Sequence, residues 1–412
     1  MLQLLLSIFF TVILIEVGLR IFPGLIPLDL LILFNDEPRT QVARSRGLPT
    51  RWDVVQIERD DGGPDFGVFK PHTIIAWPIR DNGTESTVMM DDIGFCNPPE
   101  NSYHLPNIDI ITLGDSFTIC HAVDPQQTWT SKLSVLTGLS AYNLGKGGIG
   151  IHEYIQILKQ FGLQKSPHVV IMNIYEGNDF RDARSYYRNI MKQQNSTDQD
   201  QQPASTPTFL QQKSYAYNLI EAGLIFWQQA NYFNTSANLV TQTDYERINF
   251  RYRLVFSDKE IAWNLENTDT DEVEYAQRLN ILKIESGVFE SVEDALRTFV
   301  ELSQQYNFTP IVSYTPSAHT AYADYVIFDD PALTNLMPWF SQMQRDYLAK
   351  MSNELGYTFI DLTPALQTAA QVKGSQDLLY YRYDLHLTPS GHAVVAKALS
   401  QTLNELKLIH HQ

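Results

Sequence analysis

The feature that most constrains the fold is a series of short apolar runs that begins near Ile108. The runs are too short for amphipathic helices and lack polar alternation, which is typical of strands buried on both faces of a parallel sheet. Stretches with helical spacing separate them, as a βαβ architecture requires. The sequence therefore predicts an α/β fold with a buried parallel sheet. The apolar runs lie at 108–113, 141–145, 168–175, 308–316 and 357–363.

The stretches between the runs predict helices with recognisable ends. A helix is expected to begin at Phe117, directly after the first run. Ser291 and Asp294 form a capping pair, and Thr388 with Pro389 begins the closing helix. The other predicted helices follow the spacing of their apolar residues. The predicted helices cover 128–139, 152–163, 291–306, 337–356 and 388–406.

The length of 412 residues allows one large domain with insertions or two domains. Residues 35–107 are polar, contain Pro and Gly, and predict an irregular or β-rich lead-in. The α/β domain is expected over 108–407, with an insert at about 181–290. Within the insert, 193–212 is rich in Gln, Ser and Thr and is expected to be disordered. The apolar, aromatic segment 215–233 predicts a helix that packs on the core or serves as a lid or membrane-touching element.

The N-terminal residues 1–34 are expected to form a hydrophobic membrane anchor. Leu2 to Phe22 is nearly free of charge and has about the 20 residues that a single-pass helix needs. Only Glu16 and Arg20 interrupt it, four positions apart near its end. Since no basic cluster precedes the run and no small-residue cleavage site follows it, a signal anchor is favoured over a cleaved signal peptide. A second apolar stretch, 25–34, keeps open the alternative of an amphipathic helix packed on the domain.

Composition excludes several function classes. The formal net charge of −17 disfavours binding to nucleic acid. The two cysteines, Cys96 and Cys120, are too few for a disulfide scaffold or a structural zinc site. They allow either one disulfide or two unpaired buried thiols. Metal-binding motifs are missing from the sequence, and we expect no metal or other cofactor.

The residues that carry chemistry lie at the two ends of the predicted sheet domain. Ser116 follows Gly114 and Asp115 at the end of a buried strand, where α/β sheets form their ligand crevice. A serine hydroxyl needs a base to remove its proton and a third group to orient that base. Asp384 and His386, just before the closing helix, are the candidates for these roles.

Two further loops are candidates for an oxyanion hole. The segment Asn143–Gly148 follows the second strand, and its glycines allow close approach of backbone N–H groups. Glu176–Asp179 follows the third strand, where the Asn178 carboxamide can donate a hydrogen bond. Ser116, Gly148, Asn178 and His386 thus each fall just after a different predicted strand.

This ordered set of motifs resembles the four blocks of the SGNH, or GDSL, hydrolase superfamily. The resemblance covers about 108–180 and 290–407 and leaves the N-terminal region and the insert unmatched. It implies a three-layer α/β/α sandwich with a five-stranded parallel sheet. The matching motifs are GDSFT (114–118), NLGKGG (143–148), EGND (176–179) and DLHLTPSGH (384–392).

The resemblance also implies roles for individual residues. Ser116 would be the nucleophile and, through its N–H, the first oxyanion donor, with Gly148 and Asn178 as the second and third. His386 would be the general base and Asp384 its orienting acid. The spacing departs from the family pattern, because Asp-x-His stands where Asp-x-x-His is usual. Some relatives that act on exported polysaccharides use the shorter spacing.

Other residues near the motifs are given lesser roles. Lys146 is expected to be solvated unless the substrate is anionic, and 314–319 is a candidate for substrate contact. Four residues are expected to be structural: His121, Cys120, Asp179 and His392.

The expected function is hydrolysis of a small acyl ester, such as an acetate on a glycan, through an acyl-enzyme. The alternatives are an O-acetyltransferase that modifies a cell-surface polysaccharide and a silent module that binds glycan. Positive-inside counting over Arg39 to Arg51 favours a cytoplasmic domain. The resemblance to enzymes of exported glycans favours the extracytoplasmic side, which we expect.

Overall fold

The computed structural model describes residues 2–27, 30, 34, 36–45, 54–79, 81–195, 208–224, 250–265, 270–282 and 287–408. The chain divides into two compact units. The smaller comprises Met1–Asp53 and Ser196–Arg247, and the larger comprises Val54–Asn195 and Ile248–Gln412. The larger unit therefore includes most of the lead-in and both flanks of the predicted insert.

The elements are numbered in chain order. The helices are α1 (Leu2–Ile21), α2 (Asp36–Ser45), α3 (Trp129–Thr137), α4 (Ile151–Ile157), α5 (Asp179–Asn195), α6 (Phe209–Lys213), α7 (215–224), α8 (Thr270–Leu282), α9 (Val288–Tyr306), α10 (Ala318–Ala321), α11 (Leu333–Leu355), α12 (Thr363–Lys373) and α13 (Pro389–Glu405). The strands are β1 (Val54–Gln56), β2 (Gly67–Phe69), β3 (Ile74–Ile79), β4 (Thr84–Met89), β5 (Ile110–Leu113), β6 (Ala141–Asn143), β7 (Val169–Tyr175), β8 (Tyr252–Val255), β9 (Glu260–Trp263), β10 (Thr309–Thr315), β11 (Val326–Phe328) and β12 (Thr358–Asp361).

The predicted five-stranded parallel sheet is confirmed. Its order is β12–β10–β7–β5–β6, and every neighbouring pair is parallel. All residues of β5 and β7 are buried, which explains why these runs show no polar alternation. The five strands coincide with the five apolar runs of the sequence.

Helices cover the sheet in two groups. Helix α3 packs against α13 and α13 against α12, whereas α9 packs against α4, α5 and α11. The chain steps from β5 outward to β6 and then back past β5 to β7. Because crossovers in parallel sheets are right-handed, this reversal puts the two groups on opposite faces. The carboxyl ends of β5 and β7 therefore flank the topological switch point, where such sheets bind ligands.

The part of the lead-in that the structure describes from Val54 onward is β-rich, one of the two alternatives that the sequence left open. Strands β1 and β2 form one antiparallel pair, and β3 and β4 form another. Cys96, which follows β4, forms a disulfide with Cys120 in the loop after β5, and both are fully buried. Of the two alternatives that the sequence left open, the structure has the disulfide. Strands β8, β9 and β11 form a small antiparallel sheet, to which the predicted insert supplies the first two.

Two local predictions were wrong. The chain after Ser116 makes consecutive turns rather than a helix, since the Asp115 carboxylate accepts the Phe117 N–H at 2.8 Å and caps a turn. Helix α9 begins at Val288, after Gly287, and not at the predicted pair. The Ser291 hydroxyl lies inside this helix, is buried, and bonds to neighbouring elements. By contrast, Thr388 caps α13 as predicted.

The smaller unit contains α1, α2, α6 and α7. Glu16 and Arg20, which interrupt the apolar run, both bind the segment at the start of α7. The Glu16 carboxylate accepts the Ser214 hydroxyl at 2.9 Å and the Ala216 N–H at 2.8 Å. Arg20 lies over the Tyr215 ring at 4.6 Å. Residues 196–207 of the predicted low-complexity segment lie outside the described residues. The same holds for residues 225–233 of the predicted helix at 215–233.

Among the residues that the structure describes, no helix combines the length and the apolar character needed to cross a membrane. The anchor at 1–34 stays a prediction.

Candidate active site

The turn that carries Ser116 lies at the carboxyl end of β5. Gly114 has φ +157°, and a Cβ there would lie 2.1 Å from the Thr118 hydroxyl, so only glycine fits. Asp115 follows and is fully buried, while Ser116 is half-buried. The Thr118 and Ile119 N–H groups both donate to the Asp115 carbonyl at 3.1 Å. The backbone thus bends sharply and presents Ser116 at the sheet edge.

The loop after β6 runs beside this turn. A Cβ on Gly147 would lie 3.6 Å from the Ser116 Cβ. Gly148 has φ +76° and is exposed, with open space around its Cα. Asn143 fixes the loop, because its carboxamide donates to the Thr118 carbonyl at 2.7 Å and accepts the Gly145 N–H at 2.8 Å. The predicted oxyanion loop therefore lies against the predicted nucleophile.

Asn178 follows β7 on the other side of the switch point. Its carboxamide nitrogen donates to the Asp182 carboxylate at 3.1 Å, and the carboxamide lies close enough to Asp115 to help lower the pKa of that carboxyl. Asn178 is half-buried. Its carboxamide therefore lies next to the residue that precedes Ser116.

Asp384 and His386 reach the same edge from the loop before α13. The His386 N–H donates to the Asp384 carboxylate at 3.1 Å, whereas the His386 Nδ1 lies 3.8 Å from the same oxygen. The intervening Leu385 has φ +64°, which is unusual for a residue with a branched side chain. The His386 ring stacks on Phe117, the neighbour of Ser116, with ring centroids 4.9 Å apart.

Sequence reasoning treated His121 as structural, but the structure brings it to the candidate pair. Its ring stacks on His386 with centroids 3.6 Å apart, and its Nε2 lies 3.3 Å from Asp384. Burial raises the pKa of Asp384, but the neighbouring His121 and His386 outweigh it and hold the pKa well below its usual range. Asp384 is therefore ionised at neutral pH. The sequence contained no motif that would have indicated this contact.

Carboxyl groups crowd the inner side of the turn. Burial raises the pKa of Asp115 to about 6, although the Phe117 N–H and the charge of His386 oppose the shift. Burial and the charge of Asp115 raise the pKa of Asp179 well above its usual value. Asp179 accepts the Tyr154 hydroxyl at 2.6 Å and the Tyr175 N–H at 2.7 Å, and it begins α5.

The remaining candidates also have defined contacts. Burial lowers the pKa of Lys146 to about 8, and its ammonium donates to the Gly147 carbonyl at 2.7 Å. It is therefore not the freely solvated lysine that the sequence suggested. His392 is buried, and its Nδ1 accepts the Trp129 N–H at 3.2 Å at the start of α3.

The end of β10 carries a buried polar network. The Glu176 carboxylate accepts the Thr320 and Ser341 hydroxyls at 2.7 and 2.9 Å. Glu272 hydrogen-bonds His319 at 3.0 Å. The predicted substrate-contact segment 314–319 is largely buried, and this network holds it.

Two clusters in the described part of the chain bring three possible metal ligands within 4.8 Å of one another. The first consists of His121, Asp384 and His386, and its two imidazoles stack with their planes 14° apart. The second consists of Glu176, Glu272 and His319, and its carboxylates accept hydrogen bonds from Ser317 and Thr320.

No protein-family model and no curated protein matches the chain. Its structural neighbours include a protein described as belonging to the G-D-S-L lipolytic family from Desulfitobacterium hafniense. That protein is 12% identical, with a TM-score of 0.34, covering 72% of this chain and 100% of its own. A catalytic mutant of the acetylxylan esterase Axe2 from Geobacillus stearothermophilus is 11% identical, with a TM-score of 0.37, covering 74% of this chain and 97% of its own.

A third neighbour is LAE5, an α/β hydrolase from the metagenome of Lake Arreo. It is 12% identical, with a TM-score of 0.37, covering 75% of this chain and 99% of its own. These three neighbours are thus described as a lipolytic protein, an acetylxylan esterase and an α/β hydrolase. At these identities the roles of individual residues depend on the geometry of this chain alone.

Proposed function

We propose that this protein is a serine hydrolase of the SGNH type that cleaves small acyl esters, including acetyl esters on glycans. One observation carries the proposal. The loops after β5, β6 and β7 and the loop before α13 meet around Ser116: Gly147 lies against Ser116 itself, Asn178 lies beside Asp115, and His386 stacks on Phe117. These residues belong to the four motifs that resemble the family.

In the proposed reaction, Ser116 Oγ attacks the ester carbonyl carbon while His386 accepts the serine proton. The N–H groups of Ser116 and Gly148 and the carboxamide of Asn178 stabilise the oxyanion. His386 then returns the proton to the departing alcohol. Water, activated by His386, cleaves the acyl-enzyme and restores Ser116. Asp384 stays ionised and stabilises the imidazolium form of His386.

The test is turnover of p-nitrophenyl acetate by the full chain, compared with the Ser116→Ala variant. We expect Ser116→Ala to abolish turnover and to prevent covalent labelling by a fluorophosphonate, because both require the hydroxyl. Ser185→Ala, at an exposed serine of α5, is the matched control and should behave as wild type. Activity of Ser116→Ala within tenfold of wild type would remove Ser116 from the nucleophile role.

An acetyltransferase is the second candidate, favoured by the short Asp-x-His spacing. Adding a polysaccharide acceptor to the same assay separates the possibilities. Transfer of radiolabelled acetate to the polysaccharide at the expense of free acetate indicates a transferase. Binding of the polysaccharide without any turnover would indicate a silent module.

The protein is proposed to be anchored in the membrane by a single helix, with its larger unit outside the cytoplasm. The disulfide between Cys96 and Cys120 supports this, since disulfides persist mainly in oxidising compartments. Protease treatment of intact cells is the test. A larger unit that resists digestion until the cells are lysed would place it in the cytoplasm and exclude a cell-surface substrate.

A further inference from the structure

His121 shares one carboxylate with the proposed general base. Its Nε2 lies 3.3 Å from Asp384 Oδ2. The backbone N–H of His386 donates to the other oxygen, Oδ1, at 3.1 Å. The two imidazole planes lie 14° apart, with ring centroids separated by 3.6 Å. Asp384 is therefore in contact with two stacked histidines.

The backbone is forced into an unfavourable conformation beside each histidine. Ala122, directly after His121, has φ +57°, and Leu385, directly before His386, has φ +64°. Residues with a Cβ rarely adopt this region, and they keep it only where the surrounding structure imposes it. On the His121 side, the buried disulfide at Cys120 anchors the turn. Such conformations cluster at functional sites, which makes this stack more than ordinary packing.

His121 acts as a neutral donor. Burial and the charge of His386 together lower its pKa to about 4, and Asp384 only partly opposes the shift. The contact with Asp384 assigns the tautomer with hydrogen on Nε2. A neutral His121 can hold the carboxylate without adding a positive charge that would compete with protonation of His386.

The other titratable groups around the pair are also defined. Asp115, on the turn after β5, faces His386. Asp81, after β3, faces Asp384 and accepts the Arg382 N–H at 2.9 Å. His392, on α13, lies near both imidazoles, and burial lowers its pKa to about 3.

We propose that His121 is a positioning residue for acyl transfer, which orients Asp384 by a hydrogen bond and His386 by ring stacking. The proposal rests on the proposed function. At 3.8 Å, the side chains of Asp384 and His386 are farther apart than a hydrogen bond allows. With the short Asp-x-His spacing, the acid bonds to the backbone N–H of His386 rather than to its ring, and His121 adds a contact to both side chains.

Two substitutions separate the two contacts. His121→Phe keeps a ring against His386 but loses the donor, whereas His121→Gln keeps a donor near the Nε2 position but loses the ring. We expect His121→Phe to lower kcat about tenfold at unchanged KM, as removal of one charge-assisted hydrogen bond predicts. The acid limb of its pH profile should move to higher pH, because Asp384 then acts on His386 alone. His121→Gln should keep the wild-type limb.

His104→Phe is the matched control. His104 is exposed and also contacts a carboxylate, Asp92, at 2.8 Å. Equal kcat and equal pH profiles for His121→Phe and His104→Phe would overturn the proposal. If His121→Phe does not fold, His121→Gln provides the test: an acid limb that moves away from the wild-type pH would count against the proposal.

The titration of His386, followed by its ring C–H signals in NMR of the Ser116→Ala protein, provides a readout without turnover. We expect its midpoint to rise when His121→Phe is added, and an unchanged midpoint would overturn the proposal. Failure of the proposed function is distinguishable, since Ser116→Ala would then leave turnover intact.

Discussion

Replacing the buried Asp115 by asparagine should stabilise the protein, and increasingly so at higher pH. Burial raises the folded-state pKa of Asp115 from 3.8 to about 6. The folded protein therefore binds this proton more tightly than the unfolded chain does. The stability that Asp115 contributes is fully present below pH 3.8 and is lost as the pH rises through about 6.

The magnitude follows from the two pKa values. Their difference of about 2.2 corresponds to about 3 kcal/mol at high pH, with little screening by solvent because Asp115 is fully buried. By linkage, the free energy of unfolding is lower than at low pH by about 1.6 kcal/mol at pH 5 and by about 3.0 kcal/mol at pH 8 because of Asp115. The substituted asparagine would have no charge at either pH and would still accept the Phe117 N–H through its Oδ1. The stability gain of Asp115→Asn should therefore grow by about 1.4 kcal/mol between pH 5 and pH 8.

Urea unfolding measures this difference at several pH values. Trp129 is a suitable fluorescence probe, since it is buried and its indole N–H donates to the Phe117 carbonyl at 3.1 Å. The exposed Asp65→Asn is the matched control, for which we expect a pH-independent difference from wild type. A gain for Asp115→Asn that stays flat or shrinks with pH would refute the reasoning and mean that the ionised carboxylate is favourably solvated in the fold.

The remaining predictions concern the site and its supporting turn. Asn178→Ala should lower kcat by about 10²–10³ with little change in KM, as deletion of one oxyanion donor does; a steady-state effect confined to KM would make Asn178 a ground-state contact instead. In the same assay, Asp384→Asn should retain more activity than His386→Ala, because a poorly oriented base still accepts protons, and a silent Asp384→Asn would place the acid elsewhere. Gly114→Ala should lower the free energy of unfolding by about 3 kcal/mol or more, since its Cβ would overlap the buried Thr118 hydroxyl at a positive φ; urea unfolding at wild-type stability would contradict this.

The sheet could be predicted because its signal is local and redundant. A strand buried on both faces must be apolar at every position, and β7 meets this at nearly all of its seven buried positions. The order of the strands could not be read from the apolar runs, and the number of strands in one sheet was implied only by the resemblance. The four site motifs were found because parallel strands bring their carboxyl ends to one edge, so that residues after different strands meet.

The wrong local predictions arose where one side chain can satisfy two patterns. Ser291 followed by Asp294 has the spacing of a capping pair, but its hydroxyl bonds to His152 at 2.9 Å and to the Ala183 carbonyl at 2.7 Å. The cap is formed earlier, where Glu290 accepts the Gly287 N–H at 2.9 Å. A serine hydroxyl offers the same atoms to a helix end and to a neighbouring helix. Only the tertiary structure decides between them.

His121 could not be found from the sequence for a related reason. Its role depends on two turns that are distant in the chain, and neither turn carries a residue that favours a positive φ. One tertiary and one local hydrogen bond lie at these positions: the Tyr381 hydroxyl donates to the Ala122 carbonyl at 3.1 Å, and the Asp384 carboxylate accepts the backbone N–H of His386 across Leu385. Local sequence preference and the folded conformation thus conflict at these two positions. Such conflicts are expected where a site constrains the backbone more strongly than local propensity does, and both of them lie next to an imidazole that contacts Asp384.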